Sequence, residues 1–505
     1  MNWRLKSLKL AAPVAVLLGF MSIVQVLSIR QEAQTWDEGT HLAAGLSYWK
    51  TGDYRMNPEH PPLAKLLCAV PLLFMDVTLP FQFPAWQERN EVDFGAYFLY
   101  TNRLPADAIL FPARCVTILL TLALGISIAV WTRWRFGAAA ALFAVALVAF
   151  DPNLIAHGRY VTTDLAVTLF SFLACIAWEW ALRRKTAGGF VIVGVLLGLA
   201  LGSKFSALFL IPVFVILGFA RRPGRKGALL TAGIAVAVVV GLYGPGGPGL
   251  YWQGLSQVFA HNKEGHTAYL LGQISQKGWW YYFPVAFLVK TPTAVLLLCL
   301  AALFYARRVV TARFEYAVMA VPLVVYSALA FGASLDIGFR HLLPVLPFLY
   351  VQLGVVAARM PRWLSGVLVL LLLAESLSVY PHYLAFFNRV SGGPANGPTY
   401  LLDSNIDWGQ DTKKLKAWLD ARDVHRICDV YFGEAFPGHY GIETTPLPGN
   451  DEVEARNSLD CVAAASVTPL YGLYVENDRY SWLRQLRPVA KVGYSIYVYD
   501  LRKRH

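Results

Sequence analysis

Apolar runs separated by short polar or basic turns fill the chain as far as about Tyr380, and a mixed polar sequence rich in Gly and Pro follows. A helix crossing a hydrocarbon core needs roughly 20 predominantly apolar residues, and about eleven runs meet that pattern. Their centres lie near Val16, Leu119, Val145, Phe172, Leu196, Val213, Val238, Leu296, Val324, Leu349 and Leu370, and several neighbours are joined by very short turns. The first run has no small-residue cleavage site before Gln31, so it reads as an uncleaved span, with a removed signal peptide as the alternative. Beyond Tyr380 the period changes. The segments ICDVYFG, YGLYV and YSIYVYDL predict strands, and DTKKLKAWLDAR predicts a helix. The expected organisation is a transmembrane domain over 1–379, with a polar outer loop at 30–109, followed by a small soluble α/β domain over 380–505.

Composition sharpens this picture. Of the 505 residues, 56% are hydrophobic and only 15% charged, which points to a polytopic α-helical membrane protein. The net charge of +12 would suit nucleic acid only if the basic residues formed one patch. Instead they sit at the ends of apolar runs, in RLKSLK, RWR, RRK, RRPGRK, ARR and ARMPR. Under the positive-inside rule these are cytoplasmic loops, so no nucleic-acid partner is expected. With the basic N-terminus inside, an odd number of spans places the C-terminal domain outside. The six cysteines show no zinc-like spacing; Cys428 and Cys461 are either a disulfide of the outer domain or two buried thiols.

On this topology the unusual polar clusters fall on the outer face. In TWDEGTH, Thr35 and Glu38 fit a capping box, and the acids favour the helix dipole. Alternatively, Asp37 is a proton acceptor, and His41, one helical turn later on the same face, is its partner. Asp164 opens a span as a cap or as a second acid in one cavity. Lys204, in a tight turn between spans, snorkels or binds a lipid phosphate. Arg340 pairs with Asp336 or uses its planar fork on a phosphate. In NPEHPPLAK the prolines make a rigid turn or present His60 and Lys65. Lys290 lies inside an apolar run, where an unpaired cation is costly, and GWWYYFP reads as an aromatic belt or a sugar platform. No Walker motif, dinucleotide-binding glycine fingerprint or metal-binding helix motif is present. Such a constellation suits a reaction between a lipid phosphate and an outer acceptor. A transporter or flippase of a lipid-linked sugar, and a sensor with an outer ligand domain, are the rival classes.

These segments, together with GRYVTTDLAVTLF, GSKFSALFLIP, GFRHLLPVLPFLY and YPHYLAFFNRVSGGPANGPTYLLDSNIDWGQD, resemble the polyprenol-phosphate-sugar-dependent glycosyltransferases of the GT-C superfamily. The likeness lies near protein O-mannosyltransferases and the lipid A aminoarabinose transferase, and its motifs run in shared order over most of the chain. It implies a bacterial inner-membrane enzyme that moves a monosaccharide, with inversion, from a polyprenyl phosphate to a protein, lipid or glycan hydroxyl. It implies Asp37 as base, Glu38 as its supporting acid and Asp164 as a second acid, with Lys204 and Arg340 on the donor phosphate. His60 stands before a proline where the aminoarabinose transferase pattern has a lysine, which leaves Lys65 as a competing ligand. No cofactor is required by this reading, and nothing in the sequence demands a metal. DSNIDWGQD belongs to the resemblance but has no chemical role assigned.

Overall fold

The computed structural model describes residues 2–309, 314–332 and 334–502; the side chains of the basic runs at 4–9 and 306–308 lie outside the described residues. The chain is mostly helical. Among the described residues six helices are long and apolar enough to cross a membrane: Leu10–Ile29, Ala106–Phe136, Asp164–Arg184, Arg225–Tyr243, Phe314–Phe331 and Phe339–Ala357. A seventh span is counted if Tyr282–Lys290 and Thr293–Tyr305, bent by 112° between them, form one. Eleven full-length helices were expected. Of the other expected centres, Val145, Leu196 and Val213 fall in the shorter apolar helices Ala138–Phe150, Ala187–Leu201 and Phe205–Ala220, and Leu370 falls in Arg362–Ser378. Hydropathy locates each of these elements, but a helix rises only about 1.5 Å per residue, so a 13-residue helix is too short for a full crossing.

Close packing joins the short helices to the long ones. A Cβ on Gly194 or Gly198 would lie 2.6 Å from the Cβ of Ile234 or Val238, so these glycines let Ala187–Leu201 lie directly along Arg225–Tyr243. At one end of the bundle Glu179 is buried between Arg135 and Arg183, and Arg183 also reaches Glu315 at 2.8 Å. The loop over 30–109 is itself a helical layer. Helices Trp36–Thr51, Leu63–Ala69, Pro84–Glu88 and Glu91–Tyr100 bury Leu42, Leu46, Leu66, Trp86, Phe94 and Phe98 against Ile109 and Leu110.

Near the C-terminus, five strands form a mixed sheet. Its order is Glu443–Pro446, Arg426–Val430, Val462–Ser466, Ile496–Asp500 and Ala490–Val492; the first three run parallel and the last two are antiparallel additions. Leu415 and Leu419 of helix Thr412–Asp420 cover one face at Ile427, Val462 and Val498. Pairing Ile427 with Val462 brings Cys428 beside Cys461, and the two are disulfide-bonded with Cα atoms 6.1 Å apart. Lys290 meets the need of a buried cation by donating to the Leu384 carbonyl at 2.8 Å and the Asn405 carbonyl at 2.5 Å. The aromatic run divides: Trp280 is exposed, whereas buried Tyr282 accepts from Asn405.

The exit of the first helix is tied to the 151–164 segment by Arg159, which donates to both carboxylate oxygens of Glu32 at 3.1 and 2.6 Å, both residues being fully buried. Removing one partner leaves a buried charge uncompensated, so Arg159→Met is expected to destabilise the protein by about 3–5 kcal/mol. Glu32→Gln combined with Arg159→Met should recover much of that loss in thermal unfolding in detergent; equal destabilisation by the single and double variants would contradict the pairing.

Candidate active site

Asp37 and Glu38 begin the helix Trp36–Thr51, and they point to different neighbours. Glu38 is buried. Its carboxylate accepts from the Thr35 N–H at 2.9 Å, as the capping-box pattern predicts, and from the Val161 N–H at 3.0 Å. Arg114 then donates from Nε to Oε1 at 2.8 Å and from Nη2 to Oε2 at 2.5 Å. Burial by itself would raise this carboxyl; the Arg114 charge and the donated hydrogen bonds outweigh it and hold the group below its ordinary range. Arg114 also binds the carbonyls of Ile29, Glu32 and Ala33, so Glu38 and Arg114 together fix the turn that leads into Asp37.

Asp37 projects the other way. Its Oδ2 accepts from Arg340 Nη1 at 2.7 Å, across 303 residues of chain, and its side chain keeps a 20% exposure. Arg340 Nη1 lies 4.0 Å from Asp164 Oδ2, and Asp164 Oδ1 accepts from Lys204 at 2.6 Å. Asp37, Arg340, Asp164 and Lys204 are therefore one connected cluster. Asp336, the alternative partner of Arg340, instead accepts the Trp279 N–H at 2.6 Å. Asp164 opens its helix but turns its carboxylate to Lys204 rather than capping, and this pair accounts for Lys204 at the membrane turn.

The remaining predicted residues are His41, His60 and Lys65. His41 donates from Nδ1 to the Val161 carbonyl at 2.9 Å, and its ring meets that of His60 edge-on at 5.2 Å. Burial lowers both imidazoles, and the cations Lys65 and Arg340 push both the same way. Lys65 stands apart from the cluster: its Nζ donates to the carbonyls of Asn57 and His60 at 2.7 Å each and to Tyr48 Oη at 3.0 Å. It braces the NPEHPP turn, while His60 meets the ring of His41.

From sequence, DSNIDWGQD has no chemical role, only that of organising the C-terminal domain against the helical part. Here Trp408 is buried with its ring under Arg340, the guanidinium carbon 4.4 Å from the ring centroid. The Trp408 and Gln410 carbonyls accept the N–H groups of Trp36 and Ala33 at 3.1 and 2.9 Å. On the other flank Asn405 Oδ1 accepts the Phe339 N–H, and Ser404 Oγ donates to the Ile337 carbonyl. One nine-residue segment thus grips the stretches that carry both Asp37 and Arg340. Arg114 was also missed; its signal is a lone cation eight residues into an apolar helix, where a partner is obligatory.

Residues 104–243 match the family model described as dolichyl-phosphate-mannose-protein mannosyltransferase, a stretch that contains Arg114, Asp164 and Lys204. No curated protein matches the chain in sequence. Among solved structures, ArnT from Cupriavidus metallidurans bound to undecaprenyl phosphate is 14% identical, covers 96% of this chain and 97% of its own, and has a TM-score of 0.49. The oligosaccharyltransferase AglB from Archaeoglobus fulgidus, in complex with an inhibitory peptide and a dolichol-phosphate, is 10% identical over 96% of this chain and 74% of its own, with a TM-score of 0.47. The Pmt1-Pmt2 complex of S. cerevisiae bound to its sugar donor is 18% identical over 50% and 34%, with a TM-score of 0.32. Over residues 104–243, which contain GRYVTTDLAVTLF and GSKFSALFLIP, the chain is thus similar to the protein mannosyltransferase family, in line with the resemblance those motifs carry.

Proposed function

We propose that this chain transfers one monosaccharide, with inversion, from a polyprenyl phosphate to an acceptor hydroxyl at the outer surface of a bacterial inner membrane. The observation that carries the reading is the convergence of Asp37, Arg340, Asp164 and Lys204 from four distant segments. Asp37, the more exposed carboxylate, takes the proton of the acceptor hydroxyl as that oxygen bonds to the sugar C1. The bond from C1 to the phosphate oxygen breaks, and its electron pair stays on the phosphate, where Arg340 and Lys204 offset the growing charge. Asp164 holds Lys204 in place, and Glu38 with Arg114 orients the Asp37 turn. The phosphate-linked sugar is already activated, so the proposal includes no nucleotide and no resident cofactor.

An apolar groove of about 970 Å³ between Ala187–Leu201, Leu210–Ala220 and Arg225–Tyr243 supports a lipid substrate. Leu201 and Leu208, which line it, bracket Lys204 in the chain, so a long isoprenoid tail could lie in the bundle with its phosphate at the cluster. The acceptor class is a protein, a lipid or a growing glycan. A transporter of the same lipid would need no proton acceptor beside the phosphate cations.

Asp37→Asn preserves shape and removes the proton acceptor. The variant is expected to insert and bind polyprenyl phosphate while sugar transfer falls by roughly 100-fold or more; transfer at the wild-type rate would move the base to another residue, and a wild type that yields no glycosylated product would favour transport.

In the proposed orientation the exposed residue Lys226 faces the cytoplasm and Asp423 faces outward. Cysteines placed at these positions in intact cells should label with an impermeant reagent at Asp423→Cys only. Labelling of Lys226→Cys from outside would reverse the orientation.

A further inference from the structure

Arg340 is placed to serve more than one anion. Nη1 carries the contacts to Asp37 and Asp164, whereas Nε is buried and finds no hydrogen-bond partner among the described residues. Nε2 of the adjacent His341 is likewise buried without a partner. A guanidinium offers five donors in one plane and binds best when two of its edges meet oxygens, so this side chain has capacity for a second oxyanion. The Trp408 ring holds it from its face at 4.4 Å, a contact that survives when the in-plane partners change.

The two carboxylates are not equally bound. Asp164 has 3% side-chain exposure and is held by Lys204 at 2.6 Å, whereas Asp37 keeps 20% exposure and has Arg340 as its ion-pair partner. A further negative charge arriving at Arg340 therefore displaces Asp37 more easily, because water can solvate the released carboxylate. While Asp37 Oδ2 accepts from Arg340, that oxygen is occupied, and release from the guanidinium frees it to accept the hydrogen of an incoming hydroxyl.

We propose that the carrier phosphate and Asp37 compete for the Arg340 guanidinium, so that phosphate binding releases Asp37 as the base and donor binding precedes deprotonation of the acceptor. This rests on the reading of the site as a polyprenyl-phosphate transferase. Competition ties the reactivity of the base to the presence of the group that will leave.

The test is a double-mutant cycle on the affinity of the full-length protein in detergent for undecaprenyl phosphate. Asp37→Asn should bind the carrier about 5-fold or more tighter than wild type, within the usual range of coupling between two ligands of one group. In an Arg340→Gln background the same substitution should give no comparable gain, with Arg340→Met as the second background if the glutamine variant does not insert. Unchanged or weaker binding by Asp37→Asn overturns the competition. A gain that persists without Arg340 also overturns it, since simple repulsion between Asp37 and the phosphate would then account for the effect. If wild type binds no undecaprenyl phosphate, the transferase reading itself fails, and the competition fails with it.

Discussion

The contact between Arg340 Nη1 and Asp37 Oδ2, 2.7 Å long, joins the start of the helical layer over 30–109 to the start of the long apolar helix Phe339–Ala357. Charges removed from water are costly unless they are paired. The end of the bundle beside residues 30–109 meets that constraint with linked pairs: Glu32 with Arg159, Glu38 with Arg114, Asp164 with Lys204, and Asp37 with Arg340. Only the last of these combines a partly exposed carboxylate with a guanidinium that has donor capacity to spare. The first two are sealed and fix backbone, while the last is open to solvent at Asp37.

Placement of this pair depends on residues far from it in sequence. The 403–411 segment receives backbone donors from residues 33 and 36, stacks Trp408 on Arg340, and binds Phe339 through Asn405. Lys290 anchors the same segment from the broken helix through the Asn405 carbonyl. The chain beyond the last apolar helix is therefore part of the wall that sets the distance between Asp37 and Arg340.

Much of this was legible in the sequence for definite physical reasons. Acids and cations beside apolar runs are expensive, so Asp37, Asp164, Lys204 and Arg340 stood out as polar exceptions, and they do converge. Pairings were less legible, because they are long-range: Arg340 was weighed against nearby Asp336 and instead reaches Asp37. Lys65 drew attention as a cation near a proline turn, yet its hydrogen bonds are spent on that turn's carbonyls. Trp408 carried no signal of its own, since an indole in a polar loop becomes informative only once its neighbour is known. Hydropathy placed the apolar runs but not their lengths as helices, since it measures polarity: among the described residues six, or seven with the bent pair, are long and apolar enough to cross.

Transfer and mere passage of a lipid-linked sugar differ in whether the carrier is parted from its sugar. Mass spectrometry of lipids that co-purify with the protein, repeated after incubation with a hydroxyl acceptor, tests this most directly. The account predicts a polyprenyl-phosphate monosaccharide that is consumed, leaving one polyprenyl phosphate for each sugar found on the acceptor. A lipid-linked sugar that stays bound or exchanges between leaflets unchanged, with no glycosylated acceptor from any of the three classes, would contradict it.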